Sequence, residues 1–543
     1  MSSIVGQERT YAVGIATEAS SRRQSPEGRK ESLLLASLIG IICLVLGFII
    51  VFKFQYIAGD ALSRVLSGFD VVWRGQFHLA AIGLLWNPLP SLISIPFAMI
   101  RNIWPPLVTL GFTGNIVTAF FAALGVYHMN QLLRQLGITT IIRVTMVLAF
   151  ALNPLMLMYG SNGMTDGMLA NVLVPCVAAV YRYSTTRHPM HIVAAGTWLA
   201  LGFMIRYEAV PIAVFMGFGL YIALLLSGST RKEAEATALA LWTPIVMAGI
   251  VWIILNWMIM KNPLYFLLSS YGNAKQLSTG AYNTLWITAN IHNAGHTLMQ
   301  VAEWTINFWP FIPVFLITLF GYLRNLKNIF PLPLLAASLG APALQFLLLY
   351  LNKSADWQRF FIYYIPFGMI MLAYILSRIR IQYRVLAGAV TVIMVLSSCV
   401  VSFGATNSPQ WGHGDISLVR RLLKWDTSYV NPMIIGNEQI GNYISQRPGM
   451  KILISQWDNN YTLPFISNPS RVVTTSDTDY EGILENPRGR VDYFLVAPPS
   501  SLIKLGKLYK AWPNMWSGGL LWTRLYHEFP DGSKIYEVLP DAP

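Results

Sequence analysis

Apolar and polar positions are unevenly distributed along this chain. Before about residue 404, apolar runs recur at lengths close to the roughly 20 residues that a helix needs to cross a bilayer. Eleven such runs can be marked, centred near 33–52, 107–130, 141–159, 164–181, 191–205, 208–227, 238–259, 305–323, 331–350, 360–377 and 385–403. A further apolar stretch, NPLPSLISIPFAMIR at 87–101, is short, bounded by proline and followed by a Trp-Pro-Pro. It is predicted to lie along the membrane surface. Beyond residue 404 the period changes. KILIS (451–455), RVVTT (471–475) and VDYFLVAPP (491–499) are short apolar strands. A helix is predicted before the first of them and another after the third, and LLWTRLYHEF and SKIYEVL form a closing hairpin across Pro-Asp-Gly. Strand–helix alternation of this kind predicts a small α/β sheet. The expected fold is therefore an α-helical polytopic membrane protein of about eleven transmembrane helices with a small C-terminal α/β soluble domain. The chain divides into a tail at 1–32, a membrane region at 33–403 with long loops at 53–106 and 261–304, and the C-terminal domain at 404–543.

Composition agrees with that division. Of 543 residues, 54% are hydrophobic and 12% charged, about half the charged fraction of a soluble domain. This excludes a cytosolic enzyme, a disordered chain and a disulfide-built secreted module. Cys43, Cys176 and Cys399 all fall inside apolar runs and read as small buried hydrophobes. The net charge of +13 admits two readings, positive cytoplasmic loops or attraction to phosphate, lipid or nucleic acid. Position decides between them. Residues 404–543 carry 13 basic and 13 acidic side chains, so the whole excess lies in the membrane region. Arg9, Arg22, Arg23, Arg29 and Lys30 keep the tail in the cytoplasm, and the first apolar run is expected to be an uncleaved anchor. With 87–101 outside, the turns holding Arg134 and Arg143, Arg182 and Arg187, Arg231 and Lys232, Arg324 and Lys327, and Arg378, Arg380 and Arg384 all face the cytoplasm. The C-terminal domain is then extracytoplasmic. Cytoplasmic segments hold 16 of the basic residues and external loops before residue 404 hold nine. Most of the excess is thus an orientation label, and no nucleic-acid partner is expected.

The external loops collect the chemically useful side chains. Asp60 follows the first run in GDALSR; a carboxylate beside the bilayer is expensive unless solvated or used. It reads either as a general base or as the N-cap of the helix that follows, and the two roles are compatible. Arg64, four residues on, either pairs with Asp60 or holds a phosphate near it. Arg74 and Arg101 are further loop cations, with Arg101 expected to anchor the chain at the interface. Asp166, in SNGMTDGML, either caps its helix or serves as a second acid facing Asp60. Arg206 and Glu208 share a turn between two runs. At i,i+2 they are expected to point apart, leaving Arg206 for an anion and Glu208 for a cation. Lys261, with Tyr265 and Phe266 after it, and Arg359, after Trp357 and Gln358, each read as an interfacial anchor or a phosphate contact. His292 and His296 have the i,i+4 spacing of two metal ligands on one helical face, although surface positions are the commoner fate. Trp457 and Asp458, after the first strand, stand where open α/β sheets bind ligands, or in a plain loop. No phosphate-binding glycine motif is present, which disfavours an ATP-driven pump.

In their order and sidedness, GDALSR at 59–64, NPLPSL at 87–92, SNGMTDGML at 161–169, RYEA at 206–209, NPLYF at 262–266 and RFFIYYIP at 359–366 resemble the GT-C superfamily of integral-membrane glycosyltransferases. The resemblance is nearest to the branch of protein O-mannosyltransferases and bacterial aminoarabinose transferases. It implies a polyprenyl-phospho-sugar donor, Asp60 as the catalytic acid of the first loop and Asp166 as that of the second. The family often has two adjacent acids in the first loop, whereas Asp60 is followed here by Ala61, a departure from the protein mannosyltransferases themselves. The WWDxG signature of oligosaccharyltransferases is absent. A hexosyl- or pentosyltransferase is expected, acting with inversion. Asp60 would be the base, and Arg64, Arg206, Lys261 and Arg359 would stabilise the departing lipid phosphate. Glu208 and Tyr265 would contact substrate, and a glycan, lipid or protein hydroxyl would be the acceptor. Asp60, Asp166 and a histidine are compatible with a divalent ion, but no ligand spacing demands one. Membrane lipids surround the protein, and a bacterial or archaeal plasma membrane is the expected location. Two other functions fit the sequence: a transporter or flippase for a lipid-linked saccharide, and a scaffold whose external domain binds a wall polymer or partner.

Overall fold

The computed structural model of the chain describes residues 26–539, except 75–77, 270, 278, 280–284, 413–414, 478 and 501. Arg9, Arg22 and Arg23 of the tail lie outside the described residues. All eleven apolar runs are helical, but they differ in length and exposure. Among the described residues, seven helices are long and apolar enough to cross a membrane: Pro26–Phe52, Phe112–Gln135, Ala209–Leu226, Arg231–Met260, Pro331–Tyr350, Gln358–Arg378 and Ile381–Thr406. Ala294–Ile306 and Phe311–Arg324 make an eighth if taken together, although the pair is bent by 95°. The expected eleven crossings are not all of this kind, for local reasons. The run at 141–159 is split by Asn153 and Pro154 into helices Thr140–Ala151 and Pro154–Tyr159, with Asn153 capping the second through Leu155 N at 3.1 Å. Met190–Ile205 is only 16 residues long.

Exposure sorts the helices by environment. Arg231–Met260 and Arg384–Thr406 present Val246, Ile250, Ile254, Val385, Ile393 and Val400 outward, a surface that only hydrocarbon would cover. Thr165–Thr186 is the opposite case. It is buried from Thr165 to Val180 and packs chiefly between Phe112–Gln135 and Met190–Ile205, and Asp166 stands in its first turn.

The first loop and the C-terminal domain form one unit. Helix Gly59–Trp73 packs against Leu89–Met99, the surface helix expected at 87–101, which buries Pro90, Ser91, Ser94 and Ala98. The contact is close at Gly68, where a Cβ would stand 2.8 Å from the Ser91 carbonyl oxygen. The other flank of Gly59–Trp73 contributes Leu62, Val65, Leu66 and Phe69 to a hydrophobic cluster that also contains Ile440, Leu463 and Ile466. The C-terminal domain is a five-stranded sheet of order β2-β1-β3-β5-β4. Its strands are β1 (Ile452–Ile454), β2 (Val472–Thr474), β3 (Tyr493–Val496), β4 (Thr523–Glu528) and β5 (Lys534–Val538). The first three strands are parallel, and the closing hairpin β4–β5 adds on antiparallel through β5.

Candidate active site

Asp60 lies in the first turn of Gly59–Trp73, whose N-cap is Ala58 with no side-chain cap. The N-cap role expected of Asp60 is therefore not taken up. Its carboxylate is 59% exposed and accepts from Arg359 Nη2 at 3.4 Å. Asp166 likewise does not cap its helix, because the cap position falls to Met164. Its carboxylate is fully buried, with Oδ1 lying 3.0 Å from Arg206 Nη1 and 3.8 Å from Arg359 Nε. One guanidinium thus stands between the two acids of different loops.

Backbone packing explains their approach. Gly163, in the turn before Asp166, has φ +79°, and a Cβ there would meet the Ala61 Cβ at 3.0 Å. A left-handed glycine lets the second loop lie directly against the residue after Asp60. The same contact accounts for the missing second acid of the first loop: position 61 faces backbone and is 5% exposed, so a carboxylate would be buried there without a partner.

Arg206 and Glu208 do not point apart as the sequence suggested. Arg206 grips Glu208 through Nε to Oε2 at 3.1 Å and through Nη2 to Oε1, while Nη1 donates to Thr165 Oγ1 at 3.3 Å. The chain reverses so tightly after Ile205 that both side chains turn into the protein, where a fork-to-carboxylate pair satisfies each. Arg64 does not pair with Asp60 either. Its guanidinium is buried, donates to the Asn87 carbonyl at 3.4 Å and lies over Trp86 at 5.4 Å. Burial pushes it down to about 10 against the opposing pull of Asp60, so it remains charged at neutral pH. Asn87 in turn donates to the Phe203 carbonyl and Tyr207 Oη to the Leu85 carbonyl at 3.1 Å, which ties NPLPSL to RYEA.

Lys261 is less closely involved. It caps Arg231–Met260 in a left-handed conformation and donates to the Met258 carbonyl at 3.0 Å. Among the described residues it makes no ion pair. Tyr265 is half-buried and packs against the membrane core. The adjoining Phe266 stacks on Tyr207 at 5.4 Å, which holds this segment beside the Arg206 turn.

Several contacts were not foreseen. Asp356 is buried and accepts from Trp304 Nε1 at 2.7 Å, pinning the turn that carries Arg359 to helix Ala294–Ile306. Burial pushes its carboxyl up to about 6. The C-terminal domain reaches the site directly, since Tyr461 Oη donates to the Gly59 carbonyl at 3.3 Å. Arg74 donates to the Pro469 carbonyl at 2.8 Å and to Asp477. Arg101 is no interfacial anchor: it is buried, stacked near Trp73 at 4.9 Å, and donates to the Ile466 carbonyl at 2.8 Å. Trp457 meets Tyr271 of the fourth loop with ring centroids 4.9 Å apart, whereas the Asp458 side chain lies outside the described residues. The one sequence signal for these contacts was a surplus of cations and aromatics in the first loop.

A divalent cation does not suit this arrangement. The Arg359 guanidinium already occupies the space between Asp60 and Asp166, and no group of three or more potential ligands exists among the described residues. His292 and His296 do not share a helical face. His292 precedes helix Ala294–Ile306 with φ +53°, and its ring packs edge-on against Tyr350.

No protein-family model matches the chain, and no curated protein sequence matches it. Solved structures do. ArnT from Cupriavidus metallidurans, crystallised with undecaprenyl phosphate, superposes with a TM-score of 0.54 at 12% identity, covering 92% of this chain and 97% of that one. Its apo state gives 0.50 at 11% identity, with coverages of 93% and 98%. The apo oligosaccharyltransferase of Archaeoglobus fulgidus aligns at 0.46 and 13% identity, over 86% of this chain and 69% of that one. Identities this low speak for the fold alone: this chain, whose membrane-length helices end in a small sheet domain, shares the fold of ArnT.

Proposed function

We propose that the protein is an inverting glycosyltransferase that moves a monosaccharide, a hexose or a pentose, from a polyprenyl-phosphate donor to the hydroxyl of an extracytoplasmic glycan, lipid or protein. The observation that carries this reading is the convergence of Asp60, Asp166, Arg206 and Arg359 from four separated stretches of chain, with the Asp60 carboxylate still 59% exposed. A base must reach its substrate, and Asp60 has that access from a fixed position at a helix start. Asp166, buried against two guanidiniums, would act by holding them in place.

The chemistry follows from the charges. The acceptor oxygen attacks the anomeric carbon from the face opposite the phosphate, and its proton passes to Asp60. The bond from the anomeric carbon to the phosphate oxygen breaks, and its electron pair leaves on the lipid phosphate, an anion that needs no general acid. Arg359, Arg206 and Arg64 stabilise that growing charge. Attack from the opposite face inverts the configuration. Glu208 keeps the Arg206 fork oriented, and Lys261 and Tyr265 supply further phosphate and sugar contacts beside the Phe266–Tyr207 stack. The polyprenyl tail lies among the membrane helices. The undecaprenyl phosphate bound in the ArnT crystal structure supports this donor class, and the +13 charge distribution supports a plasma-membrane protein with the tail cytoplasmic and the C-terminal domain outside.

The test is Asp60→Asn in purified protein supplied with polyprenyl-phospho-sugars. Transfer is expected to be lost with expression and melting temperature unchanged. Full transfer by this variant would rule out Asp60 as the base.

A further inference from the structure

Among the described side chains nearest Asp60 the charges balance. Asp60, Asp166 and Glu208 stand against Arg64, Arg206 and Arg359, so this cluster, with Lys261 outside it, offers a phosphate no net positive charge. A phosphate entering it must displace something. Arg206 cannot be the group that moves, because it holds Glu208 through two N–H groups and lies 3.0 Å from Asp166 as an ion pair, and its release would strand two buried carboxylates. Arg64 is buried and turned to the Asn87 carbonyl. Arg359 differs from both. Its contacts to Asp60 at 3.4 Å and to Asp166 at 3.8 Å are longer than a good charge-assisted hydrogen bond. Its Asp60 partner is 59% exposed, so water can solvate that carboxylate once the guanidinium turns away. The guanidinium also lies over the Trp357 ring, 3.9 Å from its centroid, on a turn pinned by Asp356 and Trp304. An exchange of partners would therefore turn the side chain and leave the pinned backbone in place.

We propose that Arg359 is an exchangeable latch: the phosphate of the lipid donor takes it from Asp60, and Asp60 becomes unpaired, and so available as a base, only when donor is bound. This rests on the lipid-phosphate reading above. It makes Asp60 and the donor phosphate competitors for one guanidinium, which prevents the base from acting on stray hydroxyls in the empty site and sets donor before acceptor in the order of binding.

Competition has a sign that can be measured without sugar or acceptor. Undecaprenyl phosphate is titrated onto the full-length protein in nanodiscs, with the neutral alcohol undecaprenol as control. Asp60→Asn is expected to bind undecaprenyl phosphate about two- to tenfold more tightly than the wild type, with undecaprenol unaffected. Arg359→Gln is expected to bind it more weakly, and adding Asp60→Asn to Arg359→Gln should restore nothing, because the latch is already gone. Equal or weaker binding by Asp60→Asn would overturn the exchange while leaving the lipid-phosphate site standing. The same holds for a gain that undecaprenol shares or that survives Arg359→Gln. Failure of the wild type and of every variant to bind undecaprenyl phosphate would overturn the lipid-phosphate reading, and the latch with it. Asp60 is exposed enough that its substitution should not impair folding, so the deciding variant remains measurable.

Discussion

Arg206 Nη1 lies 3.0 Å from Asp166 Oδ1, with the carboxylate wholly buried and the guanidinium 14% exposed. Buried charges in such a place depend on their opposite partners, here Arg206 with Asp166 and Glu208. Replacing Arg206 with Met should leave Asp166 and Glu208 uncompensated and lower stability by about 3–5 kcal/mol, seen as a large fall in melting temperature in detergent. Asp60→Asn, at an exposed ion pair, should change stability by no more than about 1 kcal/mol. Equal shifts for the two variants would contradict this division between a structural acid pair and a working one.

Asp356 gives the protein a pH dependence of definite sign. Its carboxyl is pushed up to about 6 by burial, so the folded protein binds this proton more tightly than the unfolded chain does. Its contribution to stability is fully present below the ordinary carboxylate value and is lost as pH rises through about 6. Melting curves between pH 5 and pH 7 should show the wild type losing stability relative to Asp356→Asn, by an amount on the order of 2 kcal/mol. Parallel curves would show that Asp356 is not perturbed in the folded protein.

Tyr461 is the point at which the C-terminal domain touches the residue before Asp60. Tyr461→Phe keeps the ring and removes the hydroxyl that donates to the Gly59 carbonyl. Turnover is expected to fall about threefold to tenfold, as for the loss of roughly 1 kcal/mol of positioning, with donor affinity unchanged. A fall in donor affinity at constant turnover would mean that the hydroxyl serves binding instead.

Gly163 tests the backbone contact that brings the loops together. Alanine at φ +79°, 3.0 Å from the Ala61 Cβ, should lower stability by about 1–2 kcal/mol. It should also reduce turnover more than Gly137→Ala, another left-handed glycine with open space around it. Equal turnover in the two variants would detach Gly163 from the site.

The sequence revealed the membrane helices, because their apolar runs are long, and it revealed the five strands, because short apolar stretches between turn residues have few other solutions. Asp60, Asp166 and Arg359 were legible one at a time as charges at a membrane boundary. What joins them was not, since a contact between residues 60 and 359 leaves no local periodicity. Arg206 and Glu208 were misjudged because i,i+2 spacing separates side chains only where the backbone is regular, and this turn is not. Arg101 looked like an interfacial anchor and Arg74 like one more loop cation because their partners, Ile466 and Asp477, lie 365 and 403 residues away. The helix break at Asn153–Pro154 was not legible, because an unbroken apolar run conceals it.

The most direct measurement is transfer itself. Purified full-length protein in nanodiscs is incubated with a panel of undecaprenyl-phospho-sugars and an extract of extracytoplasmic glycans and lipids, with and without EDTA. Consumption of one donor is expected, with release of undecaprenyl phosphate, inversion at the anomeric carbon of the product, no change on adding EDTA and no turnover by Asp60→Asn. Turnover by Asp60→Asn at the wild-type rate, or consumption of no donor by a protein that nevertheless moves these lipids across a bilayer, would contradict a glycosyltransferase acting through Asp60.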